Sequence, residues 1–223
     1  MQVASFQQTS ARAASYADDR TTKALLACGV ATGPLFMVVG LIQSFTIPGF
    51  DLTHHYLSML SSSPDFGWIQ ISNFVVAGLL TVASAVGVRR ALRGGTLGRV
   101  SPVLLGLFGV GLAAAGVFVA DPALGYPPGT PDAIPTSQSW HSIMHGVSAI
   151  VSFTFLTAAC FTLGYRFFRQ RQRGWAAYSV LSGIVAFAMP SIPNPWGGVF
   201  LFVAAGIGFA WLAALCVKLT REL

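Results

Sequence analysis

Charge is what this chain has least of. Of 223 residues, 13 are Lys or Arg and 7 are Asp or Glu, so only 9% are charged, against about 25% in an ordinary soluble domain. Hydrophobic residues make up 54%. A water-soluble fold of this size has too little polar surface to cover that much apolar side chain. Disorder is excluded by the same figure, because disordered chains are poor in apolar residues. Cysteine is scarce as well: Cys28, Cys160 and Cys216 are the three in the chain, all in apolar stretches, with no C-x-x-C. An odd number so placed encodes no disulfide framework, and these are expected as small packing residues. Also missing is the period-two alternation of a membrane barrel. The first apolar run is too long for a cleavable signal, and no small-x-small site follows it, so it reads as a retained signal anchor.

What is present is a set of apolar runs. A bilayer core of roughly 30 Å needs about 20 residues of helix. Six runs reach or approach that length: Ala24–Thr46, Gly67–Val88, Ser101–Ala120, His141–Tyr165, Gly174–Met189 and Trp196–Val217. The fifth is short and ends against Pro190, Pro193 and Pro195. Backbone polar groups in lipid must be satisfied within the span, which leaves helices as the solution. The expected fold is therefore an all-α, polytopic membrane protein, a bundle of six transmembrane helices in the plasma membrane. Residues 1–23 form a polar tail, disordered or a frayed helix start, residues 24–217 the membrane domain, and residues 218–223 a second tail. Glycine and alanine at four-residue spacing (Gly29/Gly33, Gly111/Ala115, Ala204/Gly208) allow close helix approach, expected within the bundle rather than at a dimer seam. Trp68, Trp140, Trp175 and Trp196 fall near span ends, where indoles anchor at the interface.

The basic residues are not scattered. Arg12, Arg20 and Lys23 precede the first run; Arg89, Arg90, Arg93 and Arg99 separate the second and third. Arg166, Arg169, Arg171 and Arg173 separate the fourth and fifth, and Lys218 and Arg221 follow the sixth. Those are all 13 basic residues, and the other three connections have none. The positive-inside rule then puts both termini in the cytoplasm. The net charge of +6 is thus a topology signal that also suits anionic lipid headgroups. It is no nucleic-acid footprint, since no soluble domain presents it.

The opposite side carries the chemistry. All four histidines, His54, His55, His141 and His145, lie in or beside the remaining connections, with Asp51, Asp65, Asp121 and Asp132. His141 and His145 stand four apart, on one face of a helix. Two imidazoles so spaced can share a metal, with zinc the usual occupant. His54 or His55 would be the third ligand. Asp51, His54, His55 and Ser58 share helical spacing, so a short surface helix would present them together. Zinc would polarise a carbonyl or phosphoryl group, and Asp51, Ser58 or Asp121 would assist. The alternative is that the histidines cap and hydrogen-bond the crowded outer end of the bundle. A role in pH sensing is a further reading. Gln43, Gln70 and Asn73 lie near the same end, lining a polar pocket or bridging helices. A proton-coupled transporter has little support, because the midplanes lack a carboxylate.

The runs PGFDLTHHYLSMLSS, GWIQISNFVVAGLL, FVADPALGYPPGTP and SWHSIMHGVSA resemble the actinobacterial branch of a membrane family called domain of unknown function 998. The likeness covers about residues 24–217. It implies six helices and leaves the activity open. Its pattern corresponds to Phe50, Asp51 and Ser58, to Asp121, and to His145; His54, His55 and His141 match less general features. In residue inventory alone the chain is similar to membrane hydrolases of the alkaline ceramidase type, which set histidines, an aspartate and a serine around zinc. The functional expectation is a hydrolase or lipid-modifying enzyme acting on a lipid-like or small-molecule substrate at the outer leaflet. The alternative is a non-enzymatic scaffold or small-solute carrier whose His/Asp cluster is a structural polar network.

Overall fold

In the computed structural model, residues 2–92 and 94–223 are described, with side chains from Asp18 onward. Six α-helices follow one another: α1 Gln2–Thr46, α2 Gly67–Ala91, α3 Thr96–Val117, α4 Trp140–Arg169, α5 Arg173–Ala188 and α6 Gly197–Arg221. All six are long and apolar enough to cross a membrane, and no strand occurs among the described residues. The chain is an all-α bundle of the expected kind. Side-chain hydroxyls within the spans bond back to the preceding turn, as Thr32 does to Cys28 O, Ser44 to Gly40 O and Thr81 to Ala77 O, each at 2.8 Å. This satisfies a polar group where water cannot.

Each helix packs on its chain neighbours, and α6 returns to α1, closing a ring. Glycine sets the approach. A Cβ on Gly78 would meet Gly109 O at 2.6 Å, and one on Gly109 would meet Gly78 O at 2.7 Å, so α2 and α3 touch backbone to backbone. Gly29 faces Cys216 and Ser84, Gly33 faces Phe209, Gly111 faces Ser152, and Gly208 faces Leu156. The small-residue pairs thus serve packing inside the bundle. Deep in it, the Trp211 indole N–H donates to Ser179 Oγ at 3.0 Å.

Consecutive helices run in opposite directions, so two ends can be told apart. At the arginine end α1 enters and α6 leaves. Arg89 and Arg90, Arg166 and Arg169, and Lys218 and Arg221 occupy the last turns of α2, α4 and α6, where the helix dipole favours positive charge. At the histidine end lie the connections 47–66, 118–139 and 189–196.

Several boundaries differ from the sequence expectation. Asp18–Lys23 are already helical, since no Gly or Pro interrupts the chain before Gly29; the side chains of residues 1–17, including Arg12, lie outside the described set, as does Arg93. The third helix starts at Thr96, behind Gly95 at φ 74°, and stops at Val117. The expected surface helix over Asp51–Ser58 is absent. Asp51–Tyr56 form turns, because the Asp51 carboxylate accepts from Thr53 N–H and Oγ1, a local bond that competes with helix. Only Leu57–Ser62 continue as a 3-10 helix.

Candidate functional site

A clamp, a helix anchor and a cavity stand at the histidine end, and the expected site residues other than His141 divide among them. The first is a clamp joining the connection 47–56 to the connection 121–134. The Asp51 N–H donates to His55 Nδ1 at 2.9 Å, so Nδ1 presents its lone pair and the ring proton sits on Nε2. That Nε2–H donates to Leu124 O at 2.8 Å. His55 is buried, between Phe50 and Tyr126 at ring distances of 5.3 and 5.5 Å. Beside it, exposed His54 Nε2 lies 3.1 Å from Asp132 Oδ1. Gly49, at φ 77°, passes against Pro128, where a side chain would collide. Bonds to Thr53 hold the Asp51 carboxyl below its ordinary value, with a smaller contribution from nearby His55 and His54.

Asp121 belongs to a second anchoring device, at the start of α4. Its carboxylate accepts from Ser139 N–H at 2.7 Å and from Ser139 Oγ at 2.6 Å. Ser139 Oγ in turn accepts from Ser142 N–H at 3.1 Å, the N-cap bond of α4. The Asp121 N–H donates to Ser142 Oγ at 3.3 Å. Asp121 thus fixes where α4 begins.

The third structure is a cavity. His145, one turn into α4, is buried, and its Nδ1 lies 2.8 Å from Ala115 O and 2.9 Å from Phe118 O. Both partners are acceptors, so Nδ1 carries the proton and Nε2 the lone pair. The carbonyls are available because α3 ends at Val117, leaving its last C=O groups without helical donors. His145 and Ser58 line one cavity of about 80 Å³, room for more than one water or a stretch of hydrocarbon. Ser152, two turns below His145, is its third polar residue. Ser58 Oγ and His145 Nε2 make no hydrogen bond to any described residue.

One wall of the cavity is buried, including Phe36, Phe74, Phe108 and Leu112. Facing it, Ala149 and Phe153 of α4 and Leu201, Phe202 and Ala205 of α6 are half-exposed. Helices α4 and α6 touch at Leu156 and Gly208. Residues of both helices line the cavity, together with Leu57 and Ser58 of the 3-10 helix.

The expected zinc ligands do not converge. His54 faces Asp132, His55 spans Asp51 and Leu124, and His145 points Nδ1 into the end of α3. The exposed ring of His141 stacks on Trp140 at 3.8 Å and approaches Phe118 at 6.2 Å. Among the described residues no group of three His, Cys, Asp or Glu side chains is placed to hold a metal ion. Zinc sites take at least three protein donors, so this arrangement does not fit that ion. Of the seven residues singled out, Ser58 and His145 are the two brought together at a cavity. Sequence reasoning missed Ser152 and the apolar wall, although 145, 149, 152 and 156 follow one helical face. Gln43, Gln70 and Asn73 do meet: Gln43 Nε2 donates to Gln70 Oε1 at 2.8 Å, and Asn73 Nδ2 donates to Phe36 O at 3.1 Å, which bridges α1 and α2.

Comparison with curated proteins and with solved structures finds no match in either. A family model does match, over residues 30–218, from within α1 to near the end of α6, with both the clamp and the cavity inside it. The chain belongs to that family, described as protein of unknown function (DUF998).

Proposed function

We propose that this multi-pass membrane protein acts on an acyl lipid of the outer leaflet. A chain enters between α4 and α6, and its ester end is held and cleaved, or transferred, at Ser58 and His145. The observation that carries this reading is the disposition of His145. Two carbonyls hold its Nδ1–H, which leaves the Nε2 lone pair uncommitted in a residue that lines the same cavity as Ser58. A base oriented by a third group beside a hydroxyl is the recurring arrangement for activating serine.

In the proposed step, Nε2 takes the proton of Ser58 Oγ as Oγ bonds to the ester carbonyl carbon. The carbon–alkoxide bond then breaks, and His145 returns the proton to the leaving oxygen. Water, deprotonated by the same Nε2, releases the acyl group and restores Ser58. Protonated His145 keeps its Nδ1 bonds throughout, so the cap on α3 need not open. Binding without chemistry is the second reading, favoured by the lining, which is apolar apart from Ser58, His145 and Ser152.

Purified protein in vesicles, offered lipids with a fluorescent acyl ester, tests both. His145→Asn keeps a donor near the Nδ1 position and removes Nε2; Ser58→Ala removes the nucleophile. Both are expected to bind the lipid and to lose turnover by about a hundredfold or more, as for loss of a general base. Ala149→Trp, which fills the opening, is expected to abolish binding. Turnover undiminished in both site variants refutes the chemistry. Binding undiminished in Ala149→Trp refutes the cavity as the lipid site.

A further inference from the structure

The arginine end has a second groove, on the outside of the bundle between α4 and α5. Its volume is about 530 Å³, and its apolar floor is Phe161, Gly164 and Phe168 of α4 with Ala176, Ala177 and Val180 of α5. Phe161 and Phe168 are 43% and 60% exposed, so this is lipid-facing surface. Arg173 and Tyr165 close its polar end. Arg169 lies 6.0 Å over the Tyr165 ring and donates to its hydroxyl at 3.2 Å, which brings a second guanidinium to that end. Arg171, at φ 61°, forms the turn between the helices.

Among the described residues no carboxylate pairs with the arginines of this groove. At the same end Asp18 faces Arg90 at 3.6 Å and Glu222 faces Lys218. Arg166 is committed to Leu92 O at 3.2 Å. Arg169, Arg171 and Arg173 have no ion pair among the described residues. Three like charges within five positions repel one another, and an anion among them relieves that repulsion.

We propose that this groove binds an anionic phospholipid, one acyl chain along Phe161, Phe168 and Val180 and the phosphate between Arg169 and Arg173. A zwitterionic lipid offers the same phosphate, but its ammonium group is repelled by the same arginines that hold the phosphate. The site shares no residue with the cavity at the opposite end and stands or falls separately from it.

Native mass spectrometry of the full chain, released from vesicles of equal phosphatidylglycerol and phosphatidylcholine, is the test. Wild type is expected to retain the anionic lipid about thirtyfold over the zwitterionic one, from roughly 1 kcal/mol for each of the two arginines. Arg169→Gln with Arg173→Gln is expected to bring the ratio near unity. Arg99→Gln with Arg221→Gln removes equal charge elsewhere on the same rim and is expected to leave the ratio unchanged. Ala177→Trp, on the exposed floor, alters no charge and is expected to lower retention. No preference in wild type, an equal fall in the rim control, or full retention in Ala177→Trp overturns the proposal.

Discussion

Replacing His55 separates the clamp from any ligand role. In His55→Ala two partners at the edge of solvent, the Asp51 N–H and Leu124 O, lose part-buried bonds at once. Each lost bond costs about 0.5–1.5 kcal/mol, and lost ring packing against Phe50 and Tyr126 adds about 1 kcal/mol. The expected cost is about 2–4 kcal/mol, and it falls on the docking of the two connections, not on the helices below. Two milder variants divide that total. Asn places an acceptor near the position of Nδ1 and cannot reach Leu124; Gln extends a donor toward Leu124 and leaves the Asp51 N–H unpaired. Hydrogen exchange read at Asp51 distinguishes them. A loss of about 1.4 kcal/mol corresponds to tenfold in the opening equilibrium, so Asp51 is expected to exchange faster in the Gln variant than in wild type, by up to about tenfold. In the Asn variant it is expected to stay near wild type. Peptides covering 121–134 are expected to show the reverse ranking. Equal protection of Asp51 in all variants would refute both the tautomer and the clamp.

Other perturbations follow from the same geometry. Gly198→Ala puts a Cβ against the backbone oxygens of Leu52 and His55; backbone cannot swing aside as a side chain does, so loss of folded, monodisperse protein on gel filtration is expected. Asp121→Ala removes the anchor of Ser139 and is expected to lower stability by about 1–2 kcal/mol, the usual worth of a helix N-cap, with Asp121→Asn about half as costly in a thermal melt. Tyr126 is fully buried, its hydroxyl makes no hydrogen bond of ordinary geometry among the described residues, and the Ser63 side chain acts on it only weakly. Burial raises its pKa above 10.0. The folded state favours the neutral phenol, so this contribution is complete below the ordinary tyrosine range and is lost as pH rises through the raised value. Loop proteolysis at rising pH is expected to accelerate above about pH 10 in wild type and to shift in Tyr126→Phe.

The helices were legible because the solvent imposes them. Twenty apolar residues in lipid have one way to satisfy their backbone, and the arginines mark the intervening turns. The site was less so, and the histidines show why. Spacing put His141 and His145 on one face, but α3 stops three residues before the apolar run does, and the carbonyls it leaves free claim Nδ1 of His145. His55 depends on Leu124, 69 residues away, and no local period records that distance. Ser58 came to notice through its spacing from Asp51 and His55 and through family likeness, but its place in one cavity lining with His145 follows from the 3-10 helix, which neither signal records. The metal expectation treated four histidines as one population, whereas each had a different neighbour.

The shortness of α5 has a consequence for traffic. With 16 residues it extends roughly 24 Å at 1.5 Å per residue, and the 3-10 turn Met189–Ser191 brings the span to 19 residues, the shortest of the six. Pro193 and Pro195 then forbid further helix. Its neighbours α4 and α6 belong to longer spans, so the bundle wall has its shortest stave between them. The doorway proposed for the lipid is thus set by prolines that follow a helix supplying no residue to the chamber. Substitutions that lengthen α5 would shut the door and leave every residue of the chamber in place.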